Sequence, residues 1–230
     1  MKKKRLVQGK LIILTFIFLL VILFPSYQSK LDQTDEKIIL ITGFKPFDVY
    51  DVNPSELVSL QLNNTLIQNY TIKGYVLPVD YRTAPQKMKK LISLYHPDLI
   101  ISLGLAGKTD TIRIEKIAVN LRIDTEVQFP IFTLRKINTS GPWIQRATFE
   151  STAIKDQIMN QGIPVEFSYS AGFYLCNAIL YETLLYEKES DQSIPTGFLH
   201  LPQLDSQYLG GMSLDTMIQA VTAAIQVHLN

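Results

Sequence analysis

The chain has 230 residues, of which 47% are hydrophobic, so it can bury the core of one domain of ordinary size without requiring a second. Its formal net charge is +1, but five basic residues precede the first acidic one: Lys2, Lys3, Lys4, Arg5 and Lys10. The remainder of the chain is therefore net negative, which excludes the extended basic surface that binding to nucleic acid requires.

An apolar segment follows these cations directly. Leu11 to Phe24 contains one threonine and otherwise only hydrophobic residues. As a helix this segment spans about 21 Å, less than the roughly 30 Å of a hydrocarbon core, which favours a cleaved signal peptide. The stretch after Pro25 lacks an Ala-x-Ala-like pair, and a longer helix from Val7 to Tyr27 could remain in the bilayer as an anchor. Both interpretations stay open, and both predict an extracytoplasmic protein, membrane-anchored or secreted, because the cationic end stays in the cytoplasm.

Three segments are therefore predicted: a signal peptide or transmembrane anchor over residues 1–27, a hydrophilic linker over 28–36, and one folded domain over 37–230. Within the domain, uniformly apolar strands alternate with stretches of helical period. The predicted strands are Lys37 to Gly43, Tyr70 to Val79, Pro97 to Leu105, Pro164 to Ser170 and Thr196 to Leu201. The predicted helices are Pro54 to Asn63, Ala84 to Tyr95, Ser151 to Gln161, Asn177 to Glu189 and Leu214 to Leu229.

This alternation predicts a single-domain three-layer α/β/α sandwich with a mostly parallel twisted sheet, preceded by an N-terminal hydrophobic helix. Thr111 to Asn120 alternates with a period of two and follows a strand with no helix between, so a hairpin-like excursion is expected there. Ligands of open α/β sheets gather at the carboxyl ends of the strands, and the residues that follow each strand are therefore the most informative.

Cys176 is the only cysteine, so the chain cannot form an internal disulfide. It opens a predicted helix after the fourth strand, where unpaired amides and the helix dipole favour a thiolate. A lone cysteine is otherwise a buried packing residue, and both interpretations stand. Of three histidines, His96 and His228 fall at helix ends as capping or surface residues. His200, at the end of the fifth strand, is the candidate base for a thiol nucleophile.

Other chemistries lack their motifs. The segment Gly104 to Thr109 has the glycine and lysine of a phosphate-binding loop, but Ser102 occupies the place of the first glycine. The sequence contains no His-Glu-x-x-His, no cysteine pair and no Gly-x-Ser-x-Gly. We therefore expect no metal and no cofactor.

Six blocks resemble, in order, those of the pyroglutamyl peptidase I (pyrrolidone-carboxylate peptidase) family of cysteine peptidases. They are Thr42 to Phe47 (TGFKPF), Val52 to Ser55 (VNPS), Val76 to Val79 (VLPV), Ile112 to Asn120 (IRIEKIAVN), Ser168 to Asn177 (SYSAGFYLCN) and Gly197 to Pro202 (GFLHLP). The resemblance runs from about Lys37 to the C-terminus and is weakest over residues 123–150.

The resemblance implies a Cys-His-Glu triad of Cys176, His200 and Glu115, in which the thiol attacks the carbonyl of an N-terminal pyroglutamyl residue. It also implies that Phe44 and Phe47 contact the lactam ring and that Leu175 lies beside the nucleophile. A flat, uncharged lactam suits aromatic faces and a few backbone hydrogen bonds. The expected function is a cysteine exopeptidase that forms a thioester intermediate.

The expected partners are peptides with an N-terminal pyroglutamate and, through the N-terminal segment, the membrane. The resemblance further suggests a homo-oligomer. An alternative function is an exported binding module of the same fold that recognises capped peptide ends without cleaving them.

Overall fold

The computed structural model describes residues 36–107, 109–124 and 133–229. Its helices are α1 (Pro54–Leu62), α2 (Thr83–Tyr95), α3 (Ser151–Met159), α4 (Leu175–Glu189) and α5 (Leu214–Leu229). Its strands are β1 (Lys37–Phe44), β2 (Leu66–Ile67), β3 (Tyr70–Leu77), β4 (Leu99–Leu105), β5 (Ile112–Glu115), β6 (Ile117–Val119), β7 (Arg122–Ile123), β8 (Leu134–Arg135), β9 (Ile144–Arg146), β10 (Val165–Ser168) and β11 (Thr196–Leu201).

The main sheet has seven strands in the order β10-β5-β11-β4-β1-β3-β2. β3, β1, β4 and β11 are mutually parallel, as the buried apolar runs predict. β5 runs antiparallel to β11, β10 runs parallel to β5, and β2 runs antiparallel to β3. The described residues from Lys37 onward belong to one folded unit, so the prediction of a single α/β domain with a mostly parallel sheet is confirmed.

Helices cover both faces of this sheet, because successive residues of a buried strand point to opposite sides. On β1, Ile39 and Ile41 join one apolar cluster with residues of α1, α3 and α5. Leu40, between them, joins a second cluster with residues of α2 and α4. The two clusters are the cores above and below the sheet, and the loops at its carboxyl edge remain available for a site.

The loop after β1 is attached to the start of α1 by buried polar contacts. Asn53 caps the helix, since its side-chain oxygen accepts hydrogen bonds from the backbone N–H and hydroxyl of Ser55. Ser55 Oγ in turn accepts from the Phe44 N–H, and Asn53 Nδ2 donates to the Lys45 carbonyl. Pro54 occupies the first helical turn, where its missing N–H costs nothing. These contacts fix the strand end that carries Phe44.

The expected hairpin-like excursion over residues 111–120 is wrong in its first half, because β5 is inserted into the main sheet beside β11. Only β6 leaves the sheet, pairing with β9 in a separate two-stranded sheet.

The predicted hydrophobic N-terminal helix and nearly all of the linker lie outside the described residues. Within the described ranges, no helix has both the length and the apolar character that a membrane span requires.

Candidate active site

The candidate nucleophile lies at the start of α4. The helix begins at Leu175, one residue earlier than Cys176, and Tyr174 at its N-cap has extended backbone. The first backbone N–H groups of a helix have no intrahelical acceptor and carry the positive end of its dipole. Cys176 is partly exposed and has no disulfide partner. The thiol is therefore placed where a thiolate is stabilised and a reactant can approach it.

Gly104 brings the thiol close to the strand that carries His200. A Cβ built on Gly104 would lie 3.0 Å from Cys176 Sγ and 2.8 Å from Phe198 Cζ. Gly104 of β4 is the register partner of His200 on β11, and neighbouring strands lie roughly 5 Å apart. The thiol therefore lies within interaction range of the His200 side chain. A residue without a side chain at this point is what allows the sulfur to lie against the sheet.

His200 is held from its other side by a buried carboxylate. Its Nδ1 lies 2.8 Å from Glu115 Oε1, and the two residues are 8% and 1% exposed. Because Nδ1 faces the carboxylate, Nε2 is the ring nitrogen left to take a proton from the thiol. Glu115 Oε2 has no hydrogen-bond partner in the described part of the chain. The histidine is thus the principal polar contact of a carboxylate that the fold buries almost completely.

The electrostatics of this group favour the imidazolium. Burial lowers the pKa of His200, but the charge and hydrogen bond of Cys176, together with the hydrogen bond and charge of Glu115, outweigh burial and raise this pKa to about 9. The ring is therefore protonated at neutral pH when the thiol beside it is ionised. This arrangement stabilises a thiolate–imidazolium pair of the kind that cysteine hydrolases use.

The direction of β5 explains how Glu115 reaches the histidine. Because β5 runs opposite to β11, its last residue pairs with Phe198 in the middle of β11. Glu115 therefore approaches His200 from within the sheet, whereas Cys176 approaches it from a helix start. The three predicted catalytic side chains, Cys176, His200 and Glu115, are brought together by the fold.

The predicted ring-contacting residues occupy two environments. Phe44 is 2% exposed, belongs to the same core cluster as Leu175, and has its ring centroid 6.5 Å from that of Phe198. Phe47 is half-buried in the loop after β1 and meets Tyr50 edge-on at 5.6 Å. Phe44 and Leu175 thus support the floor of the site, while Phe47 retains exposed surface for a ligand.

Two residues near the site were missed by the sequence reasoning. Asn177 is buried, accepts a hydrogen bond from the Val119 N–H, and donates to the carbonyls of Val119 and Leu121. It ties the residue after the nucleophile to the segment between β6 and β7. Tyr81 donates from its hydroxyl to the Phe173 carbonyl, just before α4. Asn177 ends the block from Ser168 to Asn177 and Tyr81 lies outside the six blocks, and for both residues only the tertiary structure reveals these contacts.

The described residues contain no cluster of three or more side chains that could hold a metal ion. The site consists of a thiol, an imidazole and a carboxylate on an α/β fold, which defines the class of cysteine hydrolases. Residues 37–230 match the sequence model of the family described as Pyroglutamyl peptidase. The chain belongs to the pyroglutamyl peptidase family, as its sequence blocks predict.

Individual relatives agree with this assignment. The pyrrolidone-carboxylate peptidase of Thermococcus litoralis is 34% identical over 208 residues, which cover 84% of this chain and 94% of the relative. That of Halalkalibacterium halodurans is 34% identical over 197 residues, covering 82% and 98%. The solved structure of the pyrrolidone carboxyl peptidase from T. litoralis matches with a TM-score of 0.77 over 84% of this chain and 93% of its own, at 34% identity. That from Pyrococcus furiosus matches with the same TM-score at 30% identity, over 84% and 98%.

Proposed function

We propose that this protein is a cysteine exopeptidase that removes N-terminal pyroglutamyl residues from peptides. The observation that carries the proposal is the contact of His200 with Cys176 on one side and with buried Glu115 on the other. The names of the relatives supply the substrate class, since each is a pyrrolidone-carboxylate peptidase.

The reaction follows from the position of each group. His200 Nε2 takes the proton of Cys176, and the thiolate adds to the pyroglutamyl carbonyl carbon while Glu115 stabilises the imidazolium. Unpaired N–H groups at the start of α4, including that of Cys176, are the candidates to bind the oxyanion. The C–N bond then breaks, the imidazolium gives its proton to the leaving amine, and a thioester remains.

Hydrolysis of the thioester repeats these steps with water. His200 removes a proton from water, the resulting oxygen nucleophile adds to the thioester carbonyl, and the C–S bond breaks. The sulfur leaves as a thiolate, pyroglutamate departs as the free acid, and the imidazolium again pairs with Cys176. Phe47 supplies an aromatic face for the lactam, and Phe44 and Leu175 support the floor of the site from the core.

A fluorogenic pyroglutamyl amide tests this proposal, with the full chain in mild detergent and a reductant present to keep the thiol reduced. We expect turnover that Cys176→Ala and iodoacetamide abolish and that a chelator leaves unchanged. A leucyl amide of the same fluorophore is the control for specificity. Binding of the pyroglutamyl amide without turnover would instead support the non-catalytic binding module, which no observation on this structure favours.

We further propose that the N-terminal segment directs the domain out of the cytoplasm. The support is the sequence itself, in which five basic residues precede the apolar run from Leu11 to Phe24. Protease added to intact cells whose wall has been removed should degrade the domain if it lies outside the membrane. The mass of the mature chain distinguishes a cleaved signal peptide from a retained anchor.

The homo-oligomer that the family resemblance suggests is tested separately, by size-exclusion chromatography with light scattering.

A further inference from the structure

Arg122 is a half-buried cation beside the site that the reaction does not use. Its guanidinium carbon lies 4.5 Å from the centroid of the Tyr81 ring, within the range of a cation–π contact. One guanidinium nitrogen also lies 3.4 Å from the Ile123 carbonyl oxygen. A guanidinium has five N–H donors in a planar fork, so most of them are still available.

The Arg122–Tyr81 pair is attached to the loop that leads into the nucleophile. The Phe173 carbonyl accepts both the Tyr81 hydroxyl at 3.2 Å and the Ile123 N–H at 2.9 Å. Phe173 precedes Cys176 by three residues, and three residues of extended chain reach at most about 11 Å. The Arg122–Tyr81 pair is therefore hydrogen-bonded to the short segment that leads directly into the nucleophile.

A second contact fixes the same segment from the other direction. Asn177 follows the nucleophile and donates to the Leu121 carbonyl, one residue before Arg122. The electrostatics agree with this proximity, because burial raises the pKa of Tyr81 to about 12, and the Cys176 charge is among the smaller contributions that act in the same direction. Arg122 is thus placed by hydrogen bonds on both sides of Cys176.

No carboxylate in residues 36–107, 109–124 and 133–229 forms an ion pair with Arg122. The nearest acidic residue in sequence, Asp124, pairs with Arg135 at 3.5 Å. The ring of Tyr81 holds the guanidinium in place without neutralising its charge. Among the residues that the structure describes, Arg122 is therefore a pre-positioned cation near the nucleophile segment whose charge no carboxylate neutralises.

We propose that Arg122, oriented by Tyr81, binds a carboxylate on the leaving part of the substrate. The inference rests on the proposed function, because it concerns the peptide that departs when the thioester forms. The pyroglutamyl ring is uncharged, so any carboxylate near the scissile bond belongs to the leaving residues. Its source is either the free α-carboxylate of a pyroglutamyl dipeptide or an acidic side chain in the residue after the pyroglutamate. Arg122 is on this account a specificity-determining residue that selects short or acidic leaving peptides.

Two matched substrate pairs test the proposal on the full chain. Pyroglutamyl-alanine and its amide differ only in the α-carboxylate, whereas the amides of pyroglutamyl-glutamate and pyroglutamyl-glutamine differ only in the side chain. We expect kcat/KM to favour the acidic member of at least one pair by about fivefold at low salt, the range of a partly exposed ion pair. The preference should shrink as salt is added.

Variants then assign the preference to its residue. Arg122→Gln should bring the ratio of kcat/KM values within a pair close to one, and Arg122→Lys should retain part of it, since lysine keeps the charge but not the planar fork. Arg82→Gln is the matched control, because Arg82 is exposed and adjacent to Tyr81 but forms no cation–π contact with its ring. It should leave the ratio at the wild-type value.

The outcomes separate the two proposals. A wild-type ratio near one in both pairs, or an unchanged ratio in Arg122→Gln, would overturn the role of Arg122 while leaving the peptidase activity established. Absence of turnover on all four substrates would overturn the proposed function and this inference with it. A preference confined to one pair identifies the source of the carboxylate.

Discussion

Glu187 makes the stability of the domain depend on pH in a way that one substitution can isolate. It lies on α4, is 4% exposed, and accepts a hydrogen bond of 2.5 Å from Thr196 Oγ1 at the start of β11. Burial raises the pKa of Glu187 from 4.5 to about 7, and the hydrogen bond from Thr196 offsets part of that increase. The carboxyl group is therefore neutral in the folded protein over a range where the unfolded chain is ionised.

The sign and magnitude of this pH dependence of the free energy of unfolding follow from proton linkage. Between pH 4.5 and about 7 the folded state binds a proton that the unfolded state has released, so the free energy of unfolding falls as the pH rises through this window. One pH unit of pKa difference corresponds to 1.36 kcal/mol, which gives a total of about 3 kcal/mol. The stabilisation is fully present below pH 4.5 and is lost above about pH 7.

Glu187→Gln removes this titration and keeps a carbonyl oxygen for Thr196. Urea titrations followed by circular dichroism at several pH values give the free energy of unfolding of variant and wild type. We expect the difference, variant minus wild type, to rise by about 3 kcal/mol between pH 4.5 and pH 8. Glu189→Gln is the control for removing a carboxylate from the same helix, because Glu189 is exposed and should not reproduce this rise. A pH-independent difference for Glu187→Gln would refute the reasoning.

Three further substitutions test the site. Glu115→Gln removes the negative charge opposite the imidazolium, so kcat/KM should fall by roughly a hundredfold or more. The alkaline limb of the pH profile of kcat/KM, which loss of the His200 proton sets, should move to lower pH. An unmoved limb would contradict the assigned contact between Glu115 and His200. Gly104→Ala places a Cβ 3.0 Å from Cys176 Sγ, so the thiol should shift from its position beside His200. We expect kcat/KM to fall by roughly ten- to a hundredfold and the alkylation of Cys176 by iodoacetamide to slow in parallel. Asn177→Ala leaves partly buried backbone groups without their side-chain partner and should lower the free energy of unfolding by about 2–4 kcal/mol in urea titrations. A cost below about 1 kcal/mol would show that these contacts are dispensable.

Much of the fold was predictable because its strongest signals are local. β11 and α5 have the predicted bounds, and β1 and β4 differ from their predictions by one or two residues. Continuous apolar runs mark strands buried on both faces, and Pro54 marks a helix start. The position of β5 was not predictable, because an alternating pattern specifies a strand without specifying its direction or its neighbour.

In the site, the catalytic residues were predictable from the sequence, whereas their supporting contacts were not. Cys176, His200 and Glu115 were identified from their sequence blocks, and the structure brings them together. The supporting contacts of Tyr81 and Asn177 were missed, because their partners are backbone groups 92 and up to 58 residues distant in sequence. Backbone acceptors have no residue-specific signature, so a single sequence carries no sign of such pairs.

The place of β11 in the sheet sets the order in which this enzyme can mature. It is the last strand in the chain, yet it lies between β4 and β5 and brings His200 to a carboxylate 85 residues earlier. A nascent chain that has emerged only as far as α4 already contains its cysteine but lacks the residue that would deprotonate it. Such a chain carries an ordinary cysteine thiol, and the catalytic thiol–imidazole pair is assembled only when the final strand takes its place between β4 and β5.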